Sequence, residues 1–119
     1  MDSTMHRGNA AYHDDLGHAL CSQARYAEAE AAFREALRLD PGEAVLHHHL
    51  GLTLSDQRRH AEAEAAQRVA ITLDPGQAIY HHHLGLALSG QGRRAEAEEA
   101  FREATRLDTG PSAGPTAAG

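Results

Sequence analysis

The chain has 119 residues, room for one domain, and its 41% hydrophobic and 24% charged residues are ordinary for a folded chain, which argues against disorder throughout. Only 4% of the residues are aromatic and none is Trp, so a core must be built from closely packed Ala and Leu, an arrangement that suits helix on helix. A formal net charge of −6, with Arg dispersed among Glu, leaves no basic stripe to neutralise phosphates, and nucleic acid is excluded as the expected partner.

Residues 1–9 read as an N-terminal extension. From residue 10 the chain repeats with a period of 34, giving blocks at 10–43, 44–77 and 78–111. The second and third blocks agree at 21 of 34 positions and the first and third at 22, too many for chance periodicity. In the first block Leu16 and Leu20 lie four apart on one predicted helix, and Ala29, Phe33, Ala36 and Leu39 recur at steps of three or four on the next. Each block is therefore a helical hairpin. The second helix of every block carries a Glu four residues before an Arg: Glu30 with Arg34, Glu64 with Arg68 and Glu98 with Arg102. Such pairs support an exposed helix by a few tenths of a kcal/mol and predict a solvated face. Asp40-Pro41-Gly42 and Asp74-Pro75-Gly76 close the first two blocks, where Pro stops the helix and Gly is expected to permit the reversal. The final stretch, residues 112–119, is Gly, Pro, Ala, Ser and Thr without helical pattern and reads as a flexible tail. With no capping helix in the pattern, Ala97, Phe101 and Ala104 are expected to leave an apolar face that a second copy, a partner or the rest of a longer repeat protein covers, and weak self-association through the third repeat is the expectation.

Leu16-Gly17, Ala29, Phe33, Ala36 and Pro41, then Leu50-Gly51, Ala63, Ala70 and Pro75, then Leu84-Gly85, Ala97, Phe101 and Ala104, fall at fixed offsets. This pattern resembles the tetratricopeptide repeat family over about residues 10–110. The departures are His13, His47 and His81 at an aromatic position, Gln67 at the second-helix aromatic and Thr109 at the last Pro. The resemblance implies an all-α fold, a right-handed α-solenoid of three antiparallel hairpins with six helices. It also implies a protein-interaction scaffold, in which the first helix of each repeat lines a concave groove for a peptide or helix of a protein partner. Carried over by position, the groove holds Ala11, Asp14, His18, Cys21 and Ser22, then Val45, His48, Leu52, Ser55 and Asp56, then Ile79, His82, Leu86, Ser89 and Gly90. One subclass of the family clamps chaperone C-terminal carboxylates with Lys, Asn and Arg at five positions. Those positions here are Asp14, His18, His49, Ile79 and His83, none of which matches, so chaperone-tail binding is not expected.

The triplets His47 to His49 and His81 to His83 recur at one register of the repeat. Adjacent helical residues point about 100° apart, so no triplet converges on one metal by itself. An alternative metal-binding reading, for zinc or nickel, gathers Asp14, His18, His48 and His82 across adjacent first helices. The simpler expectation is that His13, His47 and His81 fill space between the helices of a repeat, while His48, His49, His82 and His83 are solvated or touch a partner. A pH response is a further alternative, since protonating 10 His would move the formal charge from −6 to +4. No nucleophile with its base, carboxylate pair or phosphate-cradling loop stands at a recognisable spacing, so neither catalysis nor a cofactor is expected. No apolar run approaches the ~20 residues that cross a bilayer, and MDSTMHRGNA lacks the apolar run of a secretory signal. With a single Cys21 ruling out an intramolecular disulfide, the expected location is the cytoplasm.

Overall fold

A computed structural model describes residues 9–109, so the stretch 112–119, expected to be a tail, and all but the last residue of the N-terminal extension lie outside the described residues. The chain forms α1 (Ala10–Ser22), α2 (Tyr26–Leu39), α3 (Ala44–Asp56), α4 (His60–Leu73), α5 (Ala78–Gly90) and α6 (Arg94–Asp108). Consecutive helices pair as hairpins, and α2 and α4 also pack against α3 and α5, which stacks the hairpins into a solenoid. No helix among the described residues is long and apolar enough to cross a membrane.

Local chemistry sets the helix ends. Asn9 caps α1, its side-chain oxygen accepting from the Tyr12 amide at 2.8 Å, which satisfies one of the donors a helix start leaves open. α2, α4 and α6 begin instead with Glu28, Glu62 and Glu96 in the first turn, each held by the Arg just before the helix (Arg25, Arg59 and Arg93) at 2.6 to 2.9 Å. A carboxylate there complements the positive end of the helix dipole. The reversal inside each hairpin runs through a left-handed residue, Ala24 (φ 60°), Arg58 (φ 64°) and Gly92 (φ 76°). The following amide then bonds back to the helix: Arg25 N donates to Leu20 O at 2.9 Å, and Arg59 and Arg93 repeat this at 3.0 Å. Gly42 and Gly76, expected to permit the reversal between blocks, take no positive φ. There Pro ends the helix and a non-helical Asp40 or Asp74 turns the chain.

Packing explains the small residues that recur in each repeat. A Cβ on Gly17 would stand 2.5 Å from the Phe33 ring, and one on Gly85 would stand 2.5 Å from Phe101, so the first helix lies directly on the ring of the second. Leu20, Ala29, Ala32, Phe33, Leu50, Leu54, Ala63, Ala66 and Ala87 form one core cluster across the repeats, and Leu84, Leu88, Ala97 and Ala100 form a second at the third hairpin. The Ala and Leu core expected from composition is thus observed.

The Glu–Arg rows depart from the expected solvated face. Arg34 and Arg68 do meet Glu30 and Glu64 at 2.9 Å, but both carboxylates are only 13% exposed. Glu30 also accepts from Gln57 at 3.0 Å and Arg59 at 2.6 Å in the next repeat, and Glu64 accepts from Gln91 at 2.9 Å and Arg93 at 2.7 Å. Burial pushes the Glu30 carboxyl up, yet the bonds from Gln57, Arg59 and Arg34 outweigh it and hold the group below the ordinary carboxylate range. These are inter-repeat clasps. Glu98, the third of the series, is 58% exposed, with Arg102 at 3.9 Å.

Candidate binding groove

The first helices touch one another through their side chains. Cys21 Sγ lies 3.4 Å from Thr53 Oγ1 between α1 and α3, and the His48 ring packs on Tyr80 and His83 of α5 with centroids 4.9 and 5.2 Å apart. Along this face Ala11 and His18 are exposed while Asp14 and Cys21 are half-buried; Val45, Leu52 and Ser55 are half-buried; Ile79, His82, Leu86 and Ser89 are exposed. Access is therefore least along α3 and greatest along α5. Ile79, His82 and Leu86 follow at steps of three and four and share one stripe of the helix. Ile79 and Leu86 are 46% and 45% exposed, large apolar side chains half in water.

His48 is the exception among the residues expected to line the groove. It is 7% exposed and turned toward its own hairpin, where Gln67 replaces the aromatic of the other repeats. Gln67 Nε2 donates to the His48 carbonyl at 3.3 Å, which leaves Gln67 Oε1 to accept from His48 Nδ1–H at 3.0 Å. The two polar substitutions compensate each other inside the core. Burial lowers the His48 pKa from its ordinary value, with the Gln67 bond opposing it, and the ring is held neutral. Burial also lowers the pKa of His83, whose Nδ1 lies 3.1 Å from Ile79 O.

The gathering of Asp14 and His18 with His48 and His82 is not formed. His49 takes that place, its Nδ1 standing 2.8 Å from Asp14 Oδ1 and 3.2 Å from His18 Nε2, while His82 lies on α5 against Phe101 with ring centroids 5.6 Å apart. The reason is one of register: a residue at the fifth position of one repeat meets the sixth position of the next, as Asp14 meets His49 and His48 meets His83. The signal was present in the family's five clamp positions, which include Asp14, His18 and His49 together. His47 and His81 sit half-buried at the repeat boundaries, Nε2 lying 2.9 and 3.2 Å from the carbonyls of Pro41 and Pro75, so they tie the turn to the helix that follows it.

No curated protein sequence matches the chain. Among solved structures, the crystal structure of MamA superimposes with a TM-score of 0.80 at 28% identity, over 84% of this chain and 58% of MamA, so the chain spans little more than half of that relative. The second tetratricopeptide domain of Spaghetti (RPAP3), bound to the HSP90 peptide SRMEEVD, gives a TM-score of 0.81 at 20% identity, covering 90% of this chain and 99% of that one. The Sgt2 domain from Aspergillus fumigatus gives 0.81 at 20% identity, covering 83% and 66%. The sequence pattern described as tetratricopeptide repeat matches residues 15–78, and a second pattern of the same description matches 78–110. With that match across most of the helical hairpins, the chain belongs to the tetratricopeptide repeat family.

Proposed function

We propose that the chain is a non-catalytic scaffold that holds an extended or helical segment of a protein partner along α1, α3 and α5. The observation that carries this reading is the stripe of Ile79, His82 and Leu86, whose two large apolar side chains stay half in water. Apolar area left exposed in a row on a concave face is the usual mark of a binding surface, and solenoids bind through such broad faces rather than through pockets. The segment it suits carries apolar side chains on one face. An acidic C-terminal tail is a poor fit, because Asp14 stands where a clamp would need a cation. Peptides selected from a random library on the immobilised chain provide the test. Ile79→Glu with Leu86→Glu, both at exposed sites, should weaken the selected peptides by at least roughly tenfold, since each lost apolar contact is worth about 1.5 kcal/mol or more. Undiminished binding by the double variant would contradict the reading.

A second reading concerns the outer face of α5 and α6, and it commits to another copy of this chain as the occupant. Ala78, Ile79, His82, Phe101 and Ala104 line an open cavity of about 400 Å³ there. At the earlier junction the equivalent of His82, His48, receives Tyr80 of the next repeat. Tyr12 holds the same place in the first repeat, and Gln23 and Arg25 hold the places of Gln57 and Arg59 in the clasp. A copy stacked end on would thus set Tyr12 over His82 and Arg25 against Glu98. Sedimentation velocity should show association that rises with concentration, disappears in Glu98→Arg, and returns when Glu98→Arg chains are mixed with Arg25→Glu chains. A strictly monomeric profile at high concentration would rule it out.

A further inference from the structure

Asp14 and His18 lie one turn apart on α1, and His49 reaches both from α3. The three facing atoms, Asp14 Oδ1, His18 Nε2 and His49 Nδ1, are separated by 2.8 Å (Asp14 to His49), 3.2 Å (His18 to His49) and 3.6 Å (Asp14 to His18). Bonds of about 2.0–2.1 Å at a tetrahedral zinc centre place neighbouring ligand atoms about 3.3 Å apart, a value the three separations bracket. We propose that Asp14, His18 and His49 bind a divalent ion of the zinc class.

The donor set is chemically suited to such an ion. Two imidazole nitrogens and one carboxylate oxygen are borderline ligands that zinc accepts, and three protein ligands leave one position for water. His49 and Asp14 are 17% and 20% exposed while His18 is 49% exposed, so the cluster is recessed but open on the groove side, where that water would stand. The rings are held by the core: Phe33, only 1% exposed, lies under both, with centroids 5.3 Å from His18 and 5.7 Å from His49. Without metal, a proton on His49 Nδ1 serves both Asp14 Oδ1 and His18 Nε2. An ion at the centre displaces that proton to Nε2 of His49 and satisfies all three lone pairs at once.

The repeat supplies its own contrast. One period later the same three places hold His48, Leu52 and His83, so one ligand is missing and Nδ1 of His48 is engaged by Gln67. Among the described residues, Asp14, His18 and His49 are the one group of three His, Cys, Asp or Glu side chains whose ligand atoms all lie within 4.8 Å.

Calorimetric titration of the untagged chain with Zn2+ tests the site, with Co2+ absorption reporting geometry and imidazole nitrogen NMR reporting which rings coordinate. Because the chain has 10 His, the pattern across variants decides the matter rather than the heat alone. One ion per chain is expected, with a tetrahedral Co2+ spectrum and shifts at His18 Nε2 and His49 Nδ1. Affinity should fall at least roughly tenfold in Asp14→Asn and His49→Ala and stay unchanged in His82→Ala, as loss of one of three ligands requires. His18→Ala, at an exposed side chain, provides the same loss without risk to the core. Binding that is undiminished in Asp14→Asn and His18→Ala, coordination at His47 or His81 instead, or no binding at all would overturn the proposal.

Discussion

Ala24 and Arg58 sit at φ values of 60° and 64°, where the third hairpin has Gly92. A side chain in the left-handed region costs about 1–2 kcal/mol, of which glycine's extra freedom in the unfolded chain offsets part. Ala24→Gly and Arg58→Gly should each stabilise the protein by about 0.5–1 kcal/mol, read as a higher midpoint in thermal denaturation. Gly17 runs the other way. Its Cβ would meet the fully buried ring of Phe33 at 2.5 Å, so Gly17→Ala should destabilise by about 1–3 kcal/mol even though Ala favours the helix, while Gly42→Ala, with nothing within 4 Å, should stay close to neutral. Denaturant titration of the two variants distinguishes them directly. At this scale the sequence was legible where identity alone decides, as at Gly17 and Phe33. It was not legible where a ring's direction decides. His48 and His49 are neighbours of the same type, and only the offset between adjacent first helices sends one into the core beside Gln67 and the other to Asp14.

Between elements, the clasp on Glu64 is the feature whose weight the spacing alone understated. Glu30 with Arg34 and Glu64 with Arg68 read as pairs within one helix, but each carboxylate also accepts from an Arg and a Gln of the next repeat. Removing a half-buried acceptor strands several donors, so Glu64→Ala should cost about 1–2 kcal/mol, whereas Glu98→Ala, at a 58% exposed carboxylate, should cost less than about 0.5 kcal/mol. Urea unfolding of the two variants provides the comparison. The α3–α5 junction also carries a pH dependence. His83 faces His48 from α3, His82 from its own helix and Asp56 at the end of α3, and burial lowers its pKa. The unfolded chain then binds more protons than the folded one below about pH 6.5, so this stability is complete above that value and is lost as pH falls toward the folded pKa. The thermal midpoint should drop from pH 7.5 to 5.5, and His83→Gln should flatten the drop.

For the whole molecule, the 34-residue period was enough to establish six helices, their pairing and the Ala and Leu core, because each repeat is stabilised mainly by its neighbours and the sequence states the neighbour relation three times. What the period could not convey is where it fails. Gln67 in place of an aromatic is a polar pair with His48, and Glu98, where the series Glu30 and Glu64 continues, is 58% exposed beside Arg102. Amide NMR of the labelled chain with a selected peptide tests most directly the proposal that a partner segment lies along α1, α3 and α5. Shifts should concentrate on residues such as His18, Leu52, Ile79 and Leu86, with α2, α4 and the outer surface of α6 left unmoved. Shifts confined to those second helices, with the first helices silent, would contradict it.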